Sequence, residues 1–121
     1  MKVSISQALK RLPAEATAKY PQGAPFVTMM AGGTMSVEVY APKGEDLQEP
    51  HTQDELYFIH SGRGELVING QRFDCAVGDA FFVAAGVQHR FENFSNDLVT
   101  LVVFYGPVND DTRSVSVESK K

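Results

Sequence analysis

The chain has 121 residues, 43% of them hydrophobic and 21% charged, which suits one globular domain with its own hydrophobic core. The net charge of -4 and the scattered lysines and arginines exclude a phosphate-binding surface, so we expect no nucleic-acid partner. With a single cysteine, Cys75, no internal disulfide can form, and no long apolar run follows the N-terminus. We therefore expect a soluble, cytoplasmic protein with no leader peptide and no membrane partner.

Residues 1–25 are predicted to form a short helix and a loop. Ser4 and Gln7 have the spacing of a capping box, in which each side chain accepts a hydrogen bond from the other residue's backbone N–H. The apolar residues that then fall on one helical face are Ile5, Leu9 and Leu12. Pro13 is expected to end this helix, and the prolines and glycine that follow indicate a loop.

Residues 26–107 are typical of short strands separated by turns. Residues 35–40 alternate with the period of two of a half-buried strand, and Asn69-Gly70 is a strong hairpin signal. Residues 98–105 are almost continuously apolar, which predicts a strand covered on both faces. Turn signals at regular short intervals favour a sandwich or barrel. Residues 108–121 are predicted to be a C-terminal tail.

Two histidines and a glutamate are candidate metal ligands. His51 and Glu55 lie four residues apart at the start of a predicted strand, and His89 opens another strand just after a turn. A barrel brings such strand starts together inside one mouth. Two imidazoles and one carboxylate form the 2-His-1-carboxylate pattern, which leaves coordination positions open for a substrate.

Two stretches of the sequence resemble the two motifs of the cupin family. The matching residues are Gly44, His51, Glu55 and Gly62 in residues 44–62, and Gly78, Gly86, His89 and Asn93 in residues 78–93. The resemblance covers about residues 26–107. It implies an all-β, single-domain cupin-type double-stranded β-helix, an RmlC-like jelly-roll barrel, which here follows the short N-terminal helix.

The first motif departs from the family at one ligand position. The register set by Glu55 and Gly62 places His51 at the family's second histidine and Glu49 at its first. The resemblance therefore implies Glu49, His51, Glu55 and His89 as metal ligands, since a carboxylate can replace an imidazole at such a site. The alternatives are that Glu49 faces solvent and three ligands remain, or that metal binding has been lost.

The resemblance implies a divalent transition metal, and ligands without a thiolate favour Fe, Mn, Zn or Ni. We expect a metal-dependent dioxygenase or isomerase/lyase that acts on a small oxygen-chelating molecule. Tyr57 shares the strand parity of Glu55 and is a candidate proton donor. A non-catalytic module that binds a sugar or another small molecule is the alternative, and a barrel kept for assembly with an empty pocket is a third. The apolar residues 98–105 also predict a homodimer.

Overall fold

A computed structural model describes residues 1–108, so the predicted tail, apart from its first residue, lies outside the described residues. Within residues 1–108 the chain forms one helix and eight strands. They are α1 (Ile5–Leu9), β1 (Phe26–Gly32), β2 (Met35–Tyr40), β3 (Asp54–Ser61), β4 (Gly64–Ile68), β5 (Gln71–Cys75), β6 (Ala80–Val83), β7 (His89–Glu92) and β8 (Val99–Tyr105).

The strands form two antiparallel sheets. Strands β1, β2, β8, β3 and β6 lie side by side in that order in one sheet, and β5, β4 and β7 form the other. From β3 onward the chain crosses repeatedly between the two sheets, which is the connectivity of a jelly roll. The predicted all-β jelly-roll barrel with a short N-terminal helix is therefore confirmed.

Side chains from both sheets meet in a hydrophobic core inside the barrel. Strand β3 alternates strictly, with residues 55, 57 and 59 buried and residues 56, 58 and 60 exposed. The largest buried apolar and aromatic side chains of this core are Tyr40, Tyr57, Phe91, Phe104 and Leu66. Burying one such side chain contributes roughly 1.5–3 kcal/mol. The same alternation points Glu55 into the barrel.

Helix α1 covers part of the outer face of the larger sheet. The capping box is present, because Ser4 Oγ accepts from Gln7 N at 3.2 Å and Gln7 Oε1 accepts from Ser4 N at 3.3 Å. Ala8 is fully buried against Val39 and Val99, in a second apolar cluster outside the barrel. The helix thus shields the beginning of β8 from the side opposite the core.

Two turns have the backbone conformations that their residues favour. Asn69 and Gly70 both have positive φ, 49° and 82°, and join β4 to β5 as the predicted hairpin. Gly62, with φ of 79°, lies directly against the backbone of Leu98, where a Cβ atom would approach the Leu98 Cα to 2.6 Å. A side chain at position 62 would therefore separate the end of β3 from the segment that leads into β8.

The outer face of the larger sheet is not covered everywhere. Leu56, Phe58, Phe82 and Tyr105 point outward and are all at least one-third exposed; we call them the outer apolar patch. Leu56 faces Phe82 across the β3–β6 pair. Over residues 1–108, no helix combines the length and the apolar character that crossing a membrane requires.

Candidate metal centre

His51, Glu55 and His89 converge inside the barrel. Oε2 of Glu55 lies 3.4 Å from Nε2 of His51 and 3.3 Å from Nε2 of His89. All three residues are at most 5% exposed, and one possible ligand atom from each lies within 4.8 Å of the others. The structure thus brings together three of the four residues that the sequence analysis assigned to a metal site.

Glu55 owes its position to the central strand on which it lies. It belongs to β3, between Val83 of β6 and Phe104 of β8, so both neighbouring strands hold its backbone. Its side chain points inward with that of Tyr57. A ligand held on a paired strand is more rigid than one carried by a loop, and this arrangement gives the centre a fixed carboxylate.

The two histidines are joined through the backbone of their segments. The carbonyl oxygen of His51 accepts a hydrogen bond from Gly86 N at 2.8 Å, and Asp54 Oδ1 accepts one from Ala85 N at 2.9 Å. These bonds connect the segment before β3 to the turn before β7. The imidazole rings of His51 and His89 consequently lie with centroids 5.0 Å apart.

The orientation of His89 is set by a hydrogen bond on the far side of its ring. Nδ1 of His89 lies 2.9 Å from the carbonyl oxygen of Val87. A carbonyl can only accept, so Nδ1 must carry the proton, and Nε2 is the nitrogen that faces Glu55. This is the arrangement in which metal-binding histidines are commonly held, with the second nitrogen fixed by a backbone carbonyl.

The spacing of these atoms fits a bound transition-metal ion. Metal–ligand bonds of about 2.1 Å place neighbouring ligand atoms about 3.0 Å apart in an octahedron and about 3.4 Å apart in a tetrahedron. The observed separations of 3.3 and 3.4 Å agree with those values. The donors are nitrogen and oxygen, which suit Fe, Mn, Zn or Ni.

Glu49 does not join this cluster. Its side chain is 80% exposed, and its carboxylate lies 3.8 Å from the ammonium group of Lys19. The alternative considered from the sequence, in which Glu49 faces solvent, therefore describes its position here. The reason is local: residues 47–50 lie in an irregular segment between β2 and β3, where strand alternation does not govern side-chain direction.

Gln48 lies beside the cluster instead, although it was not among the ligands predicted from the sequence. Its side chain is 1% exposed, and its Oε1 lies 3.1 Å from Nε2 of His51. The hydroxyl group of Tyr57 donates to the same Oε1 at 2.8 Å. The sequence does offer one sign of this: Gln48 is an amide with a possible ligand oxygen, three residues before His51 in the stretch that carries the first motif.

Asp46 holds this segment in place. Its buried carboxylate accepts hydrogen bonds from Gln48 N at 3.0 Å, Gln48 Nε2 at 2.6 Å and Phe91 N at 2.8 Å, and also from the Tyr40 hydroxyl group. One side chain thus ties the irregular segment to β2 and β7. The geometry of the centre depends on this carboxylate although it does not itself face the histidines.

Tyr57 lies at the inner side of the centre. Its ring centroid is 5.9 Å from that of His89, and its hydroxyl group is engaged with Gln48. Burial, and then the negative charge of Glu55, raise the pKa of Tyr57 well above its usual value. The hydroxyl group therefore remains protonated at neutral pH and acts as a hydrogen-bond donor.

A cavity of about 470 Å³ opens beside His89. Polar side chains contribute much of its wall, in contrast to the aromatic residues that pack behind the cluster. The lining residues are Gln48, Glu49, Pro50, Val67, Gly70, Gln88, His89, Arg90 and Glu92. The cavity touches the cluster region only through His89 and Gln48, because its lining does not include His51, Glu55 or Tyr57.

A jelly-roll barrel with a buried His/Glu cluster inside it defines a small barrel of the cupin type. The chain belongs to the cupin family: the cupin domain model matches residues 36–105, which include both stretches identified from the sequence.

Related proteins agree with this assignment. An uncharacterised protein of Streptomyces coelicolor is 40% identical over 84 residues, covering 68% of this chain and 80% of that protein. A cupin 2 conserved barrel domain protein from Rhodopseudomonas palustris superposes with a TM-score of 0.60 at 23% identity, covering 79% of this chain and 70% of that one. A structure of the DMSP lyases RdDddP and RnDddQII gives a TM-score of 0.58 at 22% identity, over 67% of this chain and 46% of that one. At these identities the structural matches show a shared fold.

Proposed function

We propose that this protein binds one divalent transition-metal ion, Fe, Mn, Zn or Ni, through His51, Glu55 and His89. The convergence of three buried ligand atoms at 3.3 and 3.4 Å carries the proposal. A buried carboxylate between two imidazoles is costly unless a cation compensates its charge. A metal ion supplies that charge more fully than two neutral rings do.

The reaction class that suits this site is metal-dependent chemistry on a small oxygen-chelating molecule, by a dioxygenase or an isomerase/lyase. When bound, the metal supplies Lewis acidity toward substrate oxygens. The hydroxyl group of Tyr57 remains protonated beside the cluster, where it donates to Gln48 Oε1 at 2.8 Å. Three protein ligands leave open positions on such an ion, which favours a small molecule that chelates through a pair of oxygens.

Elemental analysis of protein purified without chelator or added metal tests the metal. We expect Fe, Mn, Zn or Ni, and loss of retention in both His51→Ala and His89→Ala. Protein that contains no transition metal, and binds none more tightly than millimolar, would contradict the proposal.

A panel of small enediols, diketones and 2-oxo acids tests the reaction, with metal-loaded protein under air and under nitrogen and His89→Ala as the control. Turnover that needs oxygen indicates a dioxygenase, and turnover under both atmospheres an isomerase or lyase. Saturable binding without turnover would instead support a non-catalytic small-molecule or sugar-binding module. One observation favours that alternative: the Tyr57 hydroxyl group, the nearest candidate proton donor, is engaged with Gln48.

The outer apolar patch supports a second proposal, a homodimer with twofold symmetry. Phe82 and Tyr105 are 61% and 59% exposed, on a sheet face that also carries Leu56 and Phe58. A contiguous exposed apolar surface of this kind is typical of an interface, and twofold dimers are the commonest closed assemblies. The patch lies on the outside of the barrel, so a dimer formed there leaves the metal centre unobstructed.

A further inference from the structure

We infer that Gln48 provides a fourth donor atom of the metal centre, its side-chain Oε1, in the role that the first motif assigns by register to position 49. The inference rests on the proposed function, because it requires a metal ion at His51, Glu55 and His89. Because glutamine is neutral, a centre with Gln48 as fourth ligand carries one negative charge less than a centre with Glu49 in that place.

The side-chain amide of Gln48 has a fixed orientation. Nε2 of Gln48 lies 2.6 Å from Asp46 Oδ2, and a carboxylate oxygen in this place can only accept. The amide NH₂ group must therefore face Asp46, and Oε1 must face the cluster. Asp46 is itself held by Phe91 N at 2.8 Å, so the orientation is fixed by the barrel and not by Gln48 alone.

The amide oxygen of Gln48 lies at the distance from His51 that two ligands of one ion would have. Oε1 lies 3.1 Å from Nε2 of His51, which falls within the spacing of about 3.0–3.4 Å expected between neighbouring ligands of one ion. The Tyr57 hydroxyl group donates to the same oxygen at 2.8 Å. An amide oxygen carries two lone pairs, so it can accept from Tyr57 with one and face the ion with the other.

Gln48 and its neighbour Glu49 differ sharply in burial. Glu49 is 80% exposed beside Lys19, whereas Gln48 is 1% exposed beside His51. Moving Glu49 inward would bring a second carboxylate near Glu55 and displace the hydrogen bonds that anchor Gln48. The side chain that lies beside His51 is therefore the neutral Gln48 and not the charged Glu49.

The charge of the centre follows from this assignment. With Gln48, Glu55 and two neutral imidazoles, the ligands carry one negative charge, and a divalent ion leaves a net charge of +1. With Glu49 in place of Gln48, the ligands would neutralise the ion. A positive centre is a stronger Lewis acid and attracts an anionic oxygen, so the substrate class narrows to small molecules that chelate through a carboxylate or enolate oxygen.

Cobalt titration of metal-free protein tests the role of Gln48 without an activity assay. Co²⁺ affinity is measured by calorimetry and the ligand field by visible absorption, in wild type, Gln48→Leu, and the matched neighbour control Glu49→Leu. We expect Gln48→Leu to weaken Co²⁺ binding at least 10-fold and to change the absorption spectrum. Glu49→Leu is expected to stay within twofold of wild type with an unchanged spectrum.

Further variants distinguish a failure of the Gln48 assignment from a failure of the metal site itself and from poor folding of Gln48→Leu. Gln48→Glu keeps a donor oxygen and is expected to bind Co²⁺ with a shifted spectrum, which provides a readout even if Gln48→Leu folds poorly. Wild-type affinity and spectrum in both Gln48 variants, with binding abolished in His51→Ala, would overturn the role of Gln48 and leave the metal site standing. Absence of Co²⁺ binding in wild type would overturn both proposals together.

Discussion

The substitution Glu55→Gln separates the proposed metal-binding role of this carboxylate from its role in the fold. Glu55 is 2% exposed, and its Oε2 lies 3.3 and 3.4 Å from the two imidazole nitrogens. Glutamine has nearly the same shape, so packing against Val83 and Phe104 is retained while the charge is removed. Burying a charge costs free energy, so an amide of similar volume at position 55 removes a desolvation cost from the metal-free fold.

The substitution should therefore leave the melting temperature of the metal-free protein unchanged or slightly raised, and lower that of the metal-loaded protein. With metal at about 1,000 times the wild-type Kd, binding stabilises the wild type by about 4 kcal/mol. At roughly 4 °C per kcal/mol for a chain of this size, the melting temperature rises by about 16 °C.

Loss of a residue that only hydrogen-bonds to a metal ligand typically weakens metal binding about 10–100-fold. Glu55 would contact the ion directly and carries the negative charge, so we expect Glu55→Gln to weaken metal binding at least about 100-fold. At the same metal concentration the variant is then stabilised by only about 1.4 kcal/mol, a rise of about 6 °C. Thermal unfolding followed by circular dichroism, with and without metal, measures both numbers. An unchanged metal-dependent shift, or a metal-free variant that melts several degrees below wild type, would refute this reasoning.

Two further predictions concern other parts of the molecule. Burial and the nearby carboxylates of Asp79 and Asp74 raise the pKa of Cys75 to about 12, so the thiolate fraction at pH 8 is about 10⁻⁴. An aromatic disulfide reagent should therefore leave native protein unmodified and titrate one thiol per chain in denaturant; rapid native reaction would contradict the buried position. In the outer apolar patch, Phe82→Glu should convert a dimer to a monomer in light scattering at micromolar concentration while metal binding is kept, whereas a wild-type monomer would exclude the dimer.

The barrel could be predicted from the sequence because its signals are local. Alternation in β3 follows from the period of two of a strand, and the Asn69-Gly70 turn follows from the φ angles that these residues tolerate. The same alternation predicted that Glu55 and Tyr57 point inward together. Residues on β3 therefore needed no tertiary information to be placed correctly. Strand β2 was also predicted, but its burial does not alternate: Glu38, Val39 and Tyr40 are all buried, and Val39 packs with Ala8 of α1 on the outer face.

The irregular segment between β2 and β3 could not be predicted in this way. The choice between Gln48 and Glu49 depends on Asp46, whose partners Tyr40 and Phe91 come from different strands. Gln53 illustrates the same limit: it is 5% exposed because its amide donates to the carbonyl oxygens of Thr34 and Gly106. Polar side chains in such segments are placed by long-range hydrogen bonds, which a motif register does not encode.

Asp46 is consequently the residue whose loss should affect the fold and the metal centre together. Strand β7 lies at the edge of its sheet, and the Phe91 N–H that a further strand would have paired donates to Asp46 instead. In Asp46→Asn, one of the two side-chain oxygens becomes an NH₂ group that faces two donors, whichever way the amide is turned.

Leaving two such buried donors unpaired costs about 1–3 kcal/mol each, so Asp46→Asn should lower the free energy of unfolding by about 2–6 kcal/mol despite its similar shape. The amide of Gln48 also loses its fixed orientation, and Co²⁺ affinity should fall in the folded fraction. Urea unfolding and cobalt titration measure the two effects, with the exposed neighbour variant Glu45→Gln as the control. An Asp46→Asn protein within about 0.5 kcal/mol of wild type would show that this carboxylate does not hold the segment in place.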